Sequence, residues 1–256
     1  MGIFYRELRP DAPLSGYVAY YWMLRFGNIQ YPVKTTPPDG GADIVIDMDN
    51  PSDPVLFGQS AGYFAVPQTP GQNIFGVRLK PGTAHVLLSV SADEFFDSAI
   101  PLSLLLPARA FGEYRHALEK GRICSETGFA AAADAIGRWL SFLFDSCRCT
   151  DERTGNMLKA MELTDRDLSV DAVADALALS PRQVERLFGK VYGLTPKTFL
   201  RINRFQRVLT RRNKTDDDSW ADISQTYGYF DQPHLHRDFR EFAGATPLQY
   251  FNPEFG

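Results

Sequence analysis

The chain has 256 residues, of which 44% are hydrophobic, and its 27 basic and 31 acidic side chains give a formal net charge of −4. This length exceeds a typical single domain of about 100 to 200 residues and agrees with two domains, and the apolar content suffices for ordinary cores. No run approaches the roughly 18 apolar residues of a membrane span, and the N-terminus lacks a signal peptide's apolar region, so we expect a cytoplasmic protein without a membrane partner.

The N-terminal half contains short apolar runs that are separated by clusters of Pro, Gly, Asn and Asp. The runs are Val18 to Phe26, Asp43 to Asp47, Val55 to Phe57 and Ile74 to Leu79. Short runs bounded by turn residues predict strands, here of a mostly β sandwich or barrel. Helices are predicted for Thr83 to Leu88, Ser91 to Asp97 and Phe129 to Phe144.

Charged side chains occur within the apolar strand context of this half. Charges held against an apolar wall are unusual enough to mark a candidate pocket. Its predicted residues are Tyr21, Trp22, Asp39, Asp43, Gln59 and Arg78. The alternative is a structural Asp–Arg pair that fixes a turn.

Motifs of enzymatic chemistry are missing from the sequence. It has no Gly-x-Ser-x-Gly elbow, no Walker-type glycine loop and no dinucleotide fingerprint, and His85 and His116 are too few for a histidine-rich metal site in the β-rich half. We expect no enzymatic activity, no cofactor and no bound metal. Cys124, Cys147 and Cys149 are expected to be free thiols, although a Cys-x-Cys pair could sense oxidants or metal.

One short pattern occurs twice in the last third of the chain, at a constant offset of 51 residues. The equivalent pairs are Ser180 and Asp231, Val184 and Leu235, Arg186 and Arg237, Phe188 and Phe239, Gly193 and Gly244, Thr195-Pro196 and Thr246-Pro247, and Phe199 and Tyr250. A repeat that keeps caps, core positions and an exposed arginine in register indicates two copies of one helical module.

In the first copy, Ser180 is a predicted helix cap, followed by Pro181 in the first turn and by Gln183, which can return to the cap. Ser169 is expected to cap a preceding helix to Leu177, so only a tight helix-turn-helix corner fits between them. The second copy is predicted to turn at Gly228 and to restart with Asp231 as cap.

Between the copies, a helix of about 16 residues is predicted from Thr195-Pro196 to Arg212, with a length of roughly 24 Å. It carries many basic side chains, and no acidic residue occurs between Lys197 and Thr215. Two recognition helices on a rigid spacer of this length could enter successive major-groove segments, whose repeat is about 34 Å, while basic side chains contact phosphates. The alternative for Arg186 and Arg237 is a salt bridge within each module.

Residues 154–251 resemble the DNA-binding domain of the AraC/XylS family of bacterial transcription regulators. The matching residues are Ala174, Ser180, Arg186-Leu187-Phe188, Gly193, Thr195-Pro196, Arg204, Ile223, Gly228-Tyr229, Arg237, Phe239, Gly244, Thr246-Pro247 and Tyr250. The resemblance implies seven helices and one recognition helix in each half. Ser224, Pro233 and Asp238 depart from the family's pattern, which leaves contacts of the second half open but not its fold.

The resemblance also implies which outward side chains meet DNA. The expected base contacts are Arg182, Glu185, Arg186, Gln232, His234, His236 and Arg237. The expected phosphate contacts are Lys190, Lys197, Arg201 and Arg204.

The N-terminal half resembles the β-rich domain that precedes many AraC-type domains, through Pro38-Asp39-Gly40-Gly41-Ala42-Asp43, Gly58-Gln59 and Gly76 to Gly82. Such domains are implied to sense a small molecule or to mediate dimerisation. We therefore predict an α+β protein with an effector or dimerisation domain (residues 1–122), a helical linker (123–153) and a double helix-turn-helix domain (154–256). The predicted function is sequence-specific transcription regulation, with double-stranded DNA, a small-molecule effector, a second copy and RNA polymerase as candidate partners. The alternative is a catalytic or metal-binding N-terminal module, with DNA binding secondary.

Overall fold

The structure is a computed structural model and describes residues 4–27, 34–66, 69–119, 128–146, 152–162, 170–214 and 218–252. The chain divides into two compact units. The N-terminal unit comprises residues 1–31, 41–59 and 68–151, and the C-terminal unit comprises 32–40, 60–67 and 152–256. The predicted boundary at 122/123 lies outside the described residues and stays a prediction.

Eight strands occur in the described residues, all of them within the N-terminal half of the sequence. They are β1 (Phe4–Leu8), β2 (Val18–Arg25), β3 (Lys34–Thr36), β4 (Ala42–Asp47), β5 (Val55–Phe57), β6 (Phe64–Val66), β7 (Asn73–Leu79) and β8 (Ala99–Pro101). Six strands form one antiparallel sheet in the order β1-β2-β7-β4-β5-β8, and β3 pairs with β6 in a second sheet. The predicted β-rich half is confirmed, with β2, β4, β5 and β7 on the four predicted runs.

Four helices complete the described part of the N-terminal unit. They are α1 (Thr83–Leu88), α2 (Leu102–Leu105), α3 (Ala108–Glu119) and α4 (Phe129–Ser146). One face of the sheet and these helices form a common core, to which alternate strand residues such as Tyr21, Met23 and Val77 contribute together with Ile136 and Trp139 of α4. Successive residues of a strand point to opposite faces of the sheet, so only every second residue of a strand contributes to this core.

One helix prediction in this unit was wrong. The segment from Ser91 to Asp97 forms only a 3₁₀ turn over Ala92–Glu94, and Asp97 adopts a positive φ of 50°. A left-handed residue cannot continue a right-handed helix, so the segment ends there. The longer prediction at Phe129 is confirmed, and Phe144, which lies off its apolar stripe, stacks on Tyr17 with ring centroids 4.1 Å apart.

Seven helices lie in the described part of the C-terminal unit, as the resemblance implied. They are α5 (Glu152–Glu162), α6 (Val170–Leu177), α7 (Pro181–Tyr192), α8 (Pro196–Arg212), α9 (Trp220–Thr226), α10 (Gln232–Ala243) and α11 (Pro247–Tyr250). None of the helices in the described ranges is long and apolar enough to span a bilayer.

The C-terminal unit also contains the two-stranded sheet of β3 and β6. Next to β3, the Pro38 carbonyl oxygen accepts a hydrogen bond from Gln206 Nε2 at 2.8 Å. Beside β6, the Tyr63 ring lies against Gly244, where a Cβ atom would stand 2.8 Å from the ring. Both contacts join segments that the sequence assigns to the N-terminal half with helices of the last 60 or so residues. We did not predict this association.

Candidate nucleic-acid interface

The first corner is formed by α6, a two-residue turn and α7. Ala178 has a φ of +50°, and the next amide, Leu179 N, donates to the Ala174 carbonyl oxygen at 3.0 Å. Ser180 then caps α7 in a capping box: its hydroxyl accepts from Gln183 N at 3.4 Å, and the Gln183 side chain accepts from Ser180 N at 2.8 Å. The predicted cap and first-turn proline are therefore confirmed, whereas Ser169 lies outside the described residues.

The second corner repeats this construction with α9 and α10. Gly228 has a φ of +71°, and Tyr229 N donates to the Ser224 carbonyl oxygen at 2.9 Å. Asp231 caps α10 by accepting from His234 N at 2.7 Å. Each of α7 and α10 ends at a left-handed glycine, Gly193 or Gly244, because glycine adopts positive φ without steric cost.

Each recognition helix buries one stripe and exposes the opposite one. In α7 the buried side chains include Val184, Phe188 and Val191, and in α10 they include Leu235 and Phe239. Most of the predicted base-contacting side chains are exposed: Arg182, Glu185, Arg186, Gln232 and Arg237. The predicted phosphate contacts Lys190 and Lys197 are exposed as well. The corners thus present a polar, mostly basic surface at equivalent places.

Arg186 and Arg237 occupy the same position in the two copies. Both are exposed, and neither has an ion-pair partner within the described ranges. The alternative that each arginine closes a salt bridge inside its own module therefore has no support in this part of the chain. Both guanidinium groups remain available for an external anion or a base edge.

His234 and His236 are only half-buried, and His234 contacts its own turn. Its ring meets Tyr229 edge-on at 5.2 Å, and its Nδ1 lies 3.5 Å from the Phe230 amide nitrogen. These contacts orient the imidazole at the N-terminal end of α10 and leave it a second nitrogen, Nε2, for other interactions.

Both of the predicted phosphate-contacting arginines take part in contacts inside the C-terminal unit. Arg201 donates to Asp238 Oδ1 at 2.7 Å and to Glu241 Oε2 at 2.6 Å. Arg204 lies over the Tyr229 ring at 4.3 Å and donates to the Gly228 carbonyl oxygen at 3.1 Å. These contacts do not test DNA binding, but they give both side chains a structural role between α8 and α10.

Asp238 is fully buried in α10, and its second oxygen lies 3.8 Å from Arg204 Nη2. A buried carboxylate is tolerated where cations and hydrogen-bond donors compensate its lost hydration. Asp238 stands where the AraC/XylS family often has an apolar residue, and two arginines of α8 compensate its charge. The sequence alone showed that Asp238 is unusual at this position. It did not identify the partners of Asp238, which lie more than 30 positions away in the chain.

Three further basic residues of α8 contact the second corner or the segment just before it. Arg207 stands over Tyr227 at 5.3 Å and Arg212 over Trp220 at 4.9 Å, while Arg211 Nε donates to Asp218 Oδ2 at 2.7 Å. Ser224 fits inside this corner because its hydroxyl donates to the Trp220 carbonyl oxygen at 2.7 Å. The positive stripe of α8 therefore contributes largely to packing.

The predicted effector pocket is only partly assembled. Trp22 Nε1 donates to Asp43 Oδ1 at 3.0 Å, and Arg78 forms an ion pair with the same carboxylate. The Trp22 indole packs closely against Gly76, where a Cβ atom would stand 1.9 Å from the ring. Tyr20 pairs with Arg78 in the strand register, so it shares this face although it was not predicted.

The other three predicted pocket residues lie elsewhere. Tyr21 points to the core face, where its hydroxyl would lie 3.1 Å from a Cβ on Gly137. Gln59 is buried, and its main-chain carbonyl oxygen accepts a hydrogen bond from Asp97 N at 2.9 Å. Asp39 groups with the C-terminal unit. The structure thus brings together Trp22, Asp43 and Arg78. An Asp–Arg pair is present, as in the alternative, but it joins the neighbouring strands β4 and β7 and does not fix a turn.

Burial governs the electrostatics of this cluster. It raises the pKa of the Asp43 carboxyl to about 7, while the hydrogen bond from Trp22 acts to lower that pKa. Burial also lowers the pKa of Arg78 and raises the pKa of Tyr20. The contact between Asp43 and Arg78 stabilises both charges against these desolvation costs, so the ion pair is the form that the geometry favours.

In the described part of the chain, no group of three or more His, Cys, Asp or Glu side chains is arranged to hold a metal ion. Cys124, Cys147 and Cys149 lie outside that part. The prediction that they are free thiols stays a prediction.

Comparison with known proteins gives two family matches on separate parts of the chain. Residues 173–252 match a family described as a helix-turn-helix domain, and residues 6–101 match a domain of unknown function (DUF6597). The HTH-type transcriptional regulator ArgR of Pseudomonas aeruginosa is 30% identical over 92 residues, which are 35% of this chain and 27% of that protein. The matched segment therefore spans about a quarter of that relative.

Two solved structures are also similar. ToxT from Vibrio cholerae is 12% identical, with 98% of each chain covered and a TM-score of 0.43. A transcriptional regulator from Chromobacterium violaceum with an AraC-type DNA-binding domain is 25% identical, covers 40% of this chain and 94% of its own, and has a TM-score of 0.34. The family match over residues 173–252, together with the two capped corners, shows that the chain carries a C-terminal helix-turn-helix domain of the AraC type, which follows a β-rich N-terminal part.

Proposed function

We propose that the chain is a sequence-specific DNA-binding transcription regulator that acts in the cytoplasm. The observation that carries the proposal is the pair of equivalent corners, each presenting an exposed arginine without an ion-pair partner in the described residues. A guanidinium that forms no internal salt bridge can donate two hydrogen bonds to a guanine edge in the major groove. The same constellation at two places favours recognition of two half-sites on one duplex.

The connecting helix sets the spacing of these half-sites. α8 has 17 residues, which correspond to a rod of about 26 Å. Its ion pairs with Asp238 and Glu241 in α10 fix the second recognition helix on the rod. We therefore propose that α7 and α10 enter successive major-groove segments on one side of the duplex, whose repeat is about 34 Å.

We propose that base contacts come from Arg182, Glu185, Arg186, Gln232, His234, His236 and Arg237. Phosphate contacts are assigned first to Lys190 in the last turn of α7 and to Lys197 in the first turn of α8, since both are exposed. Arg201 and Arg204 can add positive potential near the DNA phosphates. Their hydrogen bonds within the C-terminal unit restrict the directions in which their guanidinium groups can bind a phosphate.

The experiment that tests this function is selection of binding sites from a pool of random duplexes with the purified full chain. We expect one enriched sequence with two short conserved blocks, and at physiological salt its affinity should exceed that for random duplexes by at least about a thousand-fold. Recovery of no common sequence, with equal affinity for all duplexes, would contradict sequence-specific regulation.

Replacing Lys197 with alanine should weaken binding to the selected site and to random duplexes by similar factors. One phosphate contact releases about one counterion, so the slope of log affinity against log salt should decrease in magnitude by about one. Affinity measured between about 50 and 200 mM salt gives this slope. An unchanged slope would exclude Lys197 as a phosphate contact.

The N-terminal unit is proposed to control DNA binding through a small molecule. The supporting observation is the largely buried ion pair of Asp43 and Arg78, which adjoins the aromatic surface of Trp22. Such mixed polar and aromatic surfaces suit small ligands. A second copy and RNA polymerase remain proposed partners, in keeping with a regulator of this architecture.

A thermal shift screen of small molecules against the full chain tests the proposed effector site. A ligand of this cluster should raise the melting temperature of the wild type and change its affinity for the selected duplex. The shift should be lost in Trp22→Ala and kept in Leu104→Ala, a variant of an exposed residue of α2. A ligand that acts equally on both variants binds elsewhere.

A further inference from the structure

The turn of the second corner exposes a phenylalanine. Phe230 is 93% exposed, the highest value among the large apolar side chains of the described residues. A ring of this size gains about 1.5 to 3 kcal/mol when it is buried, so its full exposure leaves a favourable contact unmade. Single exposed apolar residues are common on protein surfaces, and exposure alone assigns no role.

The backbone on both sides of Phe230 is held by the second corner. Tyr229 before it is buried and lies beneath the Arg204 guanidinium at 4.3 Å. Asp231 after it caps α10 through His234 N at 2.7 Å, and the Phe230 amide itself lies 3.5 Å from His234 Nδ1. The exposed ring therefore projects from a fixed point at the N-terminal end of the recognition helix.

The first corner has no residue equivalent to Phe230. Its left-handed residue, Ala178, is two positions before the cap Ser180, whereas Gly228 is three positions before Asp231. The hydrogen bonds of Leu179 and Tyr229 to the preceding helices are equivalent, so the additional residue falls after Tyr229. Phe230 is thus an insertion that makes the second corner different from the first at the place where recognition helices meet bases.

We propose that Phe230 contacts the C5 methyl group of a thymine in the major-groove segment that α10 enters. The inference rests on the proposed function. The methyl group of thymine is the apolar feature that a base pair presents in the major groove, and an aromatic ring is among the side chains that recognise it. The first half-site is recognised by polar side chains alone, so the two half-sites differ in sequence and the chain binds in one orientation.

The test removes the methyl group and the ring separately and together. Duplexes carry deoxyuridine in place of one thymine at a time across the half-site bound by α10, and their affinities are measured for the wild type, Phe230→Ala, Phe230→Leu and Arg237→Ala. For the wild type, one replacement should weaken binding about four-fold, as expected for one buried methyl group. Phe230→Ala should bind the thymine and deoxyuridine duplexes equally, whereas Phe230→Leu and Arg237→Ala should keep the difference.

The proposal is overturned if no single replacement affects the wild type, or if the affected position responds equally in Phe230→Ala. It is also overturned if Phe230→Ala binds DNA as the wild type does but fails to support transcription with purified RNA polymerase, because the ring would then contact the polymerase. If the proposed function itself is wrong, the wild type will show no preference for any duplex sequence, which distinguishes that outcome from failure of the Phe230 contact.

Discussion

Replacement of Asp238 by alanine is expected to lower the free energy of unfolding of the C-terminal unit by about 3 to 5 kcal/mol. The carboxylate is fully buried and compensates Arg201 and Arg204 between α8 and α10. Its removal takes the buried carboxylate from two partly buried guanidinium groups and leaves Arg201 paired only with the half-exposed Glu241. Removing one partner is the costly way to break a buried ion pair. Urea unfolding followed by circular dichroism measures the change.

Glu241→Ala is the matched control for Asp238→Ala. Glu241 lies in the same helix and also accepts from Arg201, at 2.6 Å, but its side chain is 49% exposed. An exposed pair contributes about 0 to 1 kcal/mol, so this variant should remain close to the wild type. Equal and small effects of the two replacements would show that the Asp238 pair does not hold α10 on α8.

Replacement of Arg186 or Arg237 by alanine is expected to cost about 1 to 3 kcal/mol of binding free energy at the selected duplex. The loss should be small on random duplexes, because a base contact carries sequence information and a phosphate contact does not. Each variant should also lose discrimination at one guanine, and the two guanines should lie in different half-sites. Affinities for a set of single-base variants of the duplex provide the measurement.

Arg240→Ala serves as the control for these variants, since Arg240 is an exposed arginine in the last turn of α10. It should bind all duplexes within a factor of a few of the wild type. If Arg186→Ala and Arg237→Ala weaken binding to every sequence alike, both arginines contact phosphates and the assignment of base contacts is wrong.

The two corners could be predicted from the sequence because their signals are local. Ser180 with Pro181 and Gln183 marks the start of α7, and Gly193 marks its end, all within one short window. The second copy repeats these signals, so each supports the other. Local caps and turns of this kind require no knowledge of the rest of the fold.

The ion pairs between α8 and α10 could not be predicted in the same way. The basic stripe of α8 suggested phosphate contacts, but the side of a helix that becomes buried depends on what packs against it. Asp238 shows which side of α8 is buried, but only once its spatial neighbours Arg201 and Arg204 are known. Arg201 and Arg204 illustrate how one pattern of charges serves either a solvent-exposed surface or an internal pair.

The candidate effector site was predicted from charged side chains in apolar strand context and their possible neighbours, without assigning each residue to one face of the sheet. Tyr21 and Trp22 are neighbours in β2, so they point to opposite faces of the sheet, and only Trp22 joins Asp43 and Arg78. Strict use of the two-residue period would have selected Tyr20 instead of Tyr21. Four strands, β1, β3, β6 and β8, were not predicted. β1 is exposed throughout and shows no alternation, and the other three have only three residues each.

If α7 and α10 enter two successive major-groove segments on the same side of one duplex, methylation of guanine N7 should interfere with binding at two places. Methylation interference on the selected duplex, with the full chain, should give two clusters of interfering guanines whose centres are about 10 base pairs apart, one abolished in Arg186→Ala and the other in Arg237→Ala. A single cluster, or two clusters on opposite sides of the helix, would contradict this arrangement.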